Sequence, residues 1–123
     1  MTDSRVSRIC GLMRKNLARD WKIEELAIEA NMSESHFQKL FKSEMKISPC
    51  AFLQEERLKK AAELLEGEWE HINIIARKVG IPDLSHFSRN FKKKLGKTPA
   101  AYRKNFHDKM QEKYYPPKND SFG

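Results

Sequence analysis

Apolar residues recur every three or four positions along most of this chain, which is the spacing of amphipathic helices. The first predicted helix spans residues 4 to 18, with an apolar face made by Val6, Ile9, Met13 and Leu17. The second runs from Ile23 to near Asn31, and the third follows Ser33, a candidate N-cap. The inward positions of the third helix are Phe37, Leu40, Phe41 and Met45. No stretch alternates in the two-residue period of a strand.

A long fourth helix is predicted to start at Ser48-Pro49 and to run to about Leu65. A serine N-cap supplies an acceptor, and proline in the first turn removes a donor that would be unpaired anyway. Thr98-Pro99 repeats this start and opens the seventh helix.

The fifth and sixth helices precede that second start. The fifth begins at Ile72 and is closed by Gly80, and the sixth follows the N-cap candidate Asp83 and is closed by Gly96. Its inward residues are Phe87, Phe91 and Leu95. Beyond about Asp108 the chain becomes polar and reaches two consecutive prolines, which predicts a frayed tail.

Residues 26–53 recur in altered form as residues 75–103. Ala27 corresponds to Ala76, 49 residues later, whereas later pairs are 50 residues apart, so the second copy has gained one residue in its turn. The pairs at the longer spacing are His36/His86, Phe37/Phe87, Phe41/Phe91, Lys42/Lys92 and Pro49/Pro99. The repeat predicts an all-α fold of about seven helices, with two helix-turn-helix subdomains joined by a long helix. The predicted ranges are 4–47, 48–66, 67–107 and a flexible tail at 108–123.

The charge balance favours a polyanionic partner. The chain has 123 residues and a net charge of +7. Between Leu84 and Lys109, eight lysines and arginines stand against one aspartate, whereas residues 23–47 hold three lysines and five glutamates. The first unit therefore gains less than the second from counterion release on a polyanion, and is the candidate for discriminating among binding sites.

Several classes of protein and site are disfavoured. No apolar run resembles a signal peptide or membrane span, so we expect a cytoplasmic protein without a membrane partner. Cys10 and Cys50 lack the spacing of a zinc or redox motif and are expected to be small core or half-buried residues. His36 and His86 lie in different repeats, which favours packing or phosphate contact over chemistry. We therefore expect no metal, no cofactor and no enzymatic activity.

The outward faces of the third and sixth helices supply the candidate DNA contacts, because residues opposite the phenylalanines face away from the core. Arginine pairs with guanine, glutamine with adenine, and an apolar side chain meets the thymine methyl. The candidate base contacts are Ser35, Gln38, Lys39, Leu84, Ser85, Ser88 and Arg89. Helix N-termini and long cations suit phosphates, and these candidates are Lys42, Ser48, Lys92, Lys93, Lys97 and Thr98.

The chain resembles the DNA-binding domain of the AraC/XylS transcription regulators. The resemblance covers about residues 6–106 and is most specific at INIIARKVG and SHFSRNFKKKLGKTPAAYR. It implies a sequence-specific regulator that binds double-stranded promoter DNA through the same positions. It also implies RNA polymerase as a possible partner and a sensory domain if the chain is part of a longer protein. Ile81 stands where the family usually has an aromatic residue, and Pro82-Asp83-Leu84 is an unusual entry to the second recognition helix.

Other functions remain open at this point. A helical adaptor or RNA polymerase-interaction module would also present a basic amphipathic surface, with Glu24, Glu25 and Glu29 available to it. An RNA-binding module would need exposed aromatic residues for stacking, yet the phenylalanines fit the buried period. An enzyme is least favoured, since no nucleophile–base pair or phosphate loop occurs.

Overall fold

The computed structural model describes residues 3–67 and 69–114, and within these ranges every regular element is a helix. There are seven: α1 (Ser4–Lys15), α2 (Ile23–Glu29), α3 (Glu34–Met45), α4 (Pro49–Gly67), α5 (Ile72–Lys78), α6 (Leu84–Leu95) and α7 (Pro99–Tyr114). This confirms the predicted all-α class. No helix in the described part of the chain is long and apolar enough to cross a membrane.

The molecule has two separate hydrophobic cores. The first is formed by α1, α2, α3 and the beginning of α4, and ends in the sequence at Leu53. The second begins at Leu58 and is formed by the remainder of α4 with α5 and α6, with Tyr102 of α7 packed against it. Thus α4 is not a spacer between two subdomains, because each of its halves belongs to one core.

The two cores repeat the same aromatic arrangement. In the first, the rings of Phe37 and Phe41 lie 5.8 Å apart, and Phe41 meets Phe52 edge-on at 5.6 Å. In the second, Phe87 and Phe91 are also 5.8 Å apart, and Phe91 meets Tyr102 edge-on at 5.4 Å. The four phenylalanines of α3 and α6 are fully buried, as the helical period predicted. Helices α3 and α6, the second helices of the two helix-turn-helix units and hence their recognition helices, are therefore each anchored by the same pair of rings.

The predicted caps are present. The Ser33 hydroxyl accepts from the His36 amide at 3.2 Å, and the Asp83 carboxylate accepts from the His86 amide at 2.9 Å. At the starts of α4 and α7, Ser48 and Thr98 accept from the amides of Ala51 and Ala101 at 3.1 and 3.2 Å. These side chains satisfy N–H groups that have no partner within the helix.

Three predicted helix ends were wrong. Helix α1 ends at Lys15 rather than residue 18, because Asn16 leaves the helical conformation and its carbonyl accepts from the Trp21 indole. Helix α2 ends at Glu29, and Asn31, at φ 62°, belongs to the turn.

Helix α7 continues to Tyr114 instead of fraying at Asp108. Polarity alone does not stop a helix, and neither proline nor glycine occurs between Ala100 and Tyr114. Lys104 pairs with Asp108 one turn later, and His107 stacks on Trp69 at 4.1 Å, which supports the extension. The remainder of the predicted tail, residues 115–123, lies outside the described residues.

Candidate nucleic-acid interface

The outward face of α3 carries the predicted polar residues of the first unit. Ser35, Gln38, Lys39 and Lys42 are all exposed, while Phe37 and Phe41 hold the opposite face in the core. Lys39 and Lys42 form no ion pair within the described ranges, so their charges are available to a ligand.

The outward face of α6 is arranged in the same way. Ser85, Arg89 and Lys92 are exposed, Ser88 is half-buried, and Leu84 is 45% exposed at the first position of the helix. Leu84 offers an apolar contact at the start of the helix, and Arg89 offers a bidentate donor more than one turn further along. This combination suits the edges of base pairs in a major groove.

The cations of the second unit are largely uncompensated. Arg89, Lys92, Lys93 and Lys97 are exposed and make no ion pair with any residue that the structure describes. Lys94 differs from its neighbours, because its ammonium group contacts Glu55 of α4 at 3.0 Å. Within the described residues, the lysine run thus has two charges without an ion pair, at 92 and 93, and a third that is paired with α4.

Ser48 is half-buried and Thr98 is exposed, and each lies at the N-terminal end of a long helix with its hydroxyl oxygen engaged in capping. Their hydroxyl hydrogens and the adjacent helix ends remain suited to a phosphate. Lys97, next to Thr98, is exposed at the same end of α7.

An open cleft of about 640 Å³ lies beside the recognition face of α6, between that helix and the first turns of α4. Lys93 borders this cleft together with His86 and Asn90. His36 and His86 are both exposed, so neither packs in a core. Cys10 is buried, as expected, whereas Cys50 is exposed on the α4 side of the cleft, contrary to the expectation.

Comparison with known proteins decides the family. A family model described as a helix-turn-helix domain matches residues 26–105, which include both repeats. The C-terminal domain of AraT, a response regulator from Geobacillus stearothermophilus, superposes with a TM-score of 0.79 at 32% identity and covers 85% of this chain and 87% of that one. The chain belongs to the AraC/XylS family.

Curated relatives in this family are named as transcriptional regulators. AlkR of Acinetobacter baylyi is 39% identical over 85 residues, and MtrA of Neisseria gonorrhoeae is 35% identical over 85 residues. Both alignments cover 69% of this chain and 28% of the relative, so the chain spans less than a third of either protein. The DNA-binding domain of AdpA, solved in complex with a target DNA, has the same fold, with a TM-score of 0.79 at 24% identity over 94% of this chain and all of that one.

The two departures from the usual AraC/XylS pattern have local explanations. Ile81 is 4% exposed and belongs to the second core, so it takes an apolar place without an aromatic ring. Pro82 and Asp83 precede the first turn of α6, where the Asp83 carboxylate caps the helix. Both departures are therefore compatible with a packed and capped α6.

The contact that sequence reasoning missed lies at Gly80. Its place after α5 predicted a helix end, but its close approach to the first unit depends on residues more than sixty positions away. Arg57 of α4 contacts the first unit through the connection between α1 and α2. Glu63, on the same helix, pairs with Lys60 at 3.6 Å.

Proposed function

We propose that this chain is the DNA-binding module of a transcription regulator and reads double-stranded promoter DNA with α3 and α6 in two successive major-groove segments. The observation that carries the proposal is the duplicated geometry. Two helices with the same buried phenylalanine pair each present an exposed polar face. A single chain with two such helices can read a long asymmetric site, since successive major-groove segments on one face of a duplex lie about 34 Å apart.

Base readout falls to the outward residues of the two helices. Arg89 is the leading candidate for guanine, Gln38 for adenine and Leu84 for a thymine methyl group. Ser35, Lys39, Ser85 and Ser88 complete the proposed set. Arg89 and Lys39 are exposed and form no ion pair with any residue in 3–67 or 69–114, which supports these roles.

Phosphate contacts fall to Lys42, Lys92, Lys93, Lys97 and the helix starts at Ser48 and Thr98. They fix the position of the protein on the duplex and carry no sequence information by themselves. Since more free cations lie on the second unit, we propose that it provides most of the sequence-independent affinity.

The decisive experiment is selection of bound duplexes from a random library, followed by footprinting of the selected site. The proposal expects an asymmetric site of about two helical turns protected by one monomer. Protection of one short half-site would show that only one unit engages. If micromolar protein binds no duplex at all, the adaptor or RNA polymerase-interaction alternative replaces this one.

Because both proposed recognition helices lie within this chain, the test uses the isolated protein. A sensory domain and RNA polymerase are further proposed partners of a complete regulator. Titration with duplex DNA against single-stranded RNA of the same sequence separates the proposal from an RNA-binding module.

A further inference from the structure

The middle of α4 contains a polar turn, residues 54–57, between the last residue of the first core and the first residue of the second. Two of its side chains form ion pairs with neighbouring helices. Glu56 pairs with Arg14 of α1 at 3.3 Å, and Glu55 pairs with Lys94 of α6 at 3.0 Å. Each of these pairs joins α4 to one unit and leaves the angle between the units to other contacts.

Arg57 makes a more directional contact. Its Nε donates to the Leu17 carbonyl at 2.8 Å, and one terminal nitrogen donates to the Arg19 carbonyl at 2.9 Å. Both acceptors lie in the connection between α1 and α2, forty and thirty-eight residues away in sequence. A planar guanidinium bound to two backbone carbonyls has little rotational freedom, so this contact fixes an orientation as well as a distance.

The second unit reaches the same place through Gly80, which ends the α5 turn at φ +87°. A Cβ at this position would lie 2.7 Å from the Leu17 carbonyl oxygen and 3.0 Å from both the Ala18 Cα and the Arg57 Nε. The turn that leads into α6 is therefore seated directly on the α1–α2 connection. Three parts of the fold, one from each unit and one from α4, meet at Arg57.

We propose that Arg57 is a positioning residue. Its two hydrogen bonds to the α1–α2 connection, next to Gly80, form a clamp that sets the angle between α3 and α6. This angle in turn sets the spacing of half-sites that the protein accepts. The specificity part rests on the proposed DNA-binding function, whereas the clamp itself does not. Adding one base pair between half-sites turns one of them by roughly 35° and moves it by about 3.4 Å. A rigid pair of recognition helices cannot follow that change, but a loosened pair can.

The first test needs no DNA. Spin labels at Ser43→Cys on α3 and Ala101→Cys on α7 report the distance between the two units. The exposed Cys50 is replaced by alanine so that it takes no label, and Cys10 stays because it is buried and labels poorly. The parent protein should give one narrow distance distribution. Arg57→Met, which keeps an apolar stem but removes both donors, should broaden it.

Lys60→Met is the matched control, because it removes one positive charge from an exposed position of the same helix, where the ammonium group pairs with Glu63. It should leave the distribution narrow. If Arg57→Met does not fold, as judged by its helical circular dichroism, Arg57→Lys decides, since it retains the charge but cannot bond both carbonyls in one plane. A distribution as narrow as the parent's in the decisive variant overturns the clamp.

The second test measures affinity for duplexes whose half-sites are moved apart or together by one to three base pairs. The parent and Lys60→Met should lose affinity by roughly tenfold or more for a single-base-pair change, which is the scale of a mismatched contact. Arg57→Met should bind the best spacing more weakly and lose less than about threefold on the same change, with unchanged affinity for an isolated half-site.

The two tests fail in distinguishable ways. A broadened distance distribution with an unaltered spacing profile overturns the claim that the clamp sets spacing. If the parent protein itself shows no preferred duplex, the proposed function has failed, while the distance measurement still decides the clamp.

Discussion

The two helix-turn-helix units place different residues at the equivalent positions of positive φ. The turn before each recognition helix needs one residue with positive φ, and the first unit uses Asn31 at 62° where the second uses Gly80 at 87°. The left-handed residue after each recognition helix is Lys46 at 70° in the first unit and Gly96 at 84° in the second. In both turns the following amide, of Met32 or Ile81, bonds back to an alanine carbonyl at 3.0 or 2.9 Å.

This comparison shows that a conserved geometry does not require the same residue. Asn31 is exposed and tolerates the left-handed conformation, whereas Gly80 is packed against the backbone of the first unit. The two units also differ in charge, because the cations that form no ion pair with a described residue are concentrated in α6 and just after it. The turn of the first unit is thus less tightly packed than that of the second, and the first unit is also the less basic of the two.

The largest expected difference is in salt dependence. A complex with six to ten phosphate contacts loses roughly a thousandfold to a hundred-thousandfold in affinity between 50 and 200 mM salt. We expect the full site to behave in this way and a half-site for α6 to show a steeper log–log slope than a half-site for α3. Fluorescence anisotropy across a salt series measures both slopes. Lys92→Ala and the variant at the equivalent position, Lys42→Ala, are measured in the same way as a matched pair. Equal slopes for the two half-sites would remove the electrostatic asymmetry.

The next effect concerns the two turns. Gly80→Ala should destabilise the fold by about 2 to 4 kcal/mol, because a methyl group would both strain the backbone and collide with the Leu17 carbonyl. Asn31→Ala should cost only about 1 kcal/mol, for the loss of a residue that tolerates this conformation. Urea denaturation followed by circular dichroism compares them, and similar losses would show that the contact at Gly80 contributes little.

A smaller effect separates base readout in the two units. Arg89→Ala should cost about 1 to 3 kcal/mol on the preferred duplex and relax the choice at one base pair. Gln38→Ala should act in the same way at a position in the other half of the site. Lys93→Ala should weaken all duplexes alike and reduce the salt slope by about one unit. Each variant is measured against single-base substitutions of the site, and a uniform loss for Arg89→Ala would make Arg89 a backbone contact.

The caps after the recognition helices give a still smaller contrast. Lys46→Gly should stabilise the protein by about 0.5 kcal/mol, since glycine relieves the left-handed strain but costs chain entropy. Gly96→Ala should destabilise it by about 1 kcal/mol, because a Cβ there meets nothing within 4 Å and only backbone strain remains. Thermal unfolding of the two variants checks the signs, and a loss of stability in Lys46→Gly would contradict the interpretation of its φ.

A pH-dependent contrast lies in the ring that closes each core. Burial, together with a hydrogen bond to Glu66, raises the pKa of Tyr102 to about 12, whereas the equivalent Phe52 cannot ionise. The folded state therefore favours the neutral phenol, and this stabilisation is complete below pH 10 and lost as pH rises toward 12. Tyr102→Phe should lose less stability than the parent between these pH values. Denaturation at pH 9 and pH 11.5 tests this, and parallel losses would count against it.

Much of the fold could be predicted from local patterns. The inward positions of α3 and α6, the N-caps at Ser33 and Asp83 and the Ser-Pro and Thr-Pro starts depend on residues within a few positions of one another, and all were confirmed. The predicted end of α7 was wrong, because polarity alone does not stop a helix and neither proline nor glycine occurs between Ala100 and Tyr114. The base and phosphate contacts stay predictions, since they depend on a bound duplex.

The sequence by itself determined that this protein has two similar helical units, which faces of their recognition helices point outward, and that the second carries the basic excess. Those properties follow from periodicity and composition, which a single sequence contains in full. Only the tertiary structure decided that α4 is shared by both cores, that Lys94 is paired while Lys92 and Lys93 are free, and that Arg57, Leu17 and Gly80 meet. Such contacts join residues far apart in the chain, and their geometry depends on how helices pack rather than on any local preference.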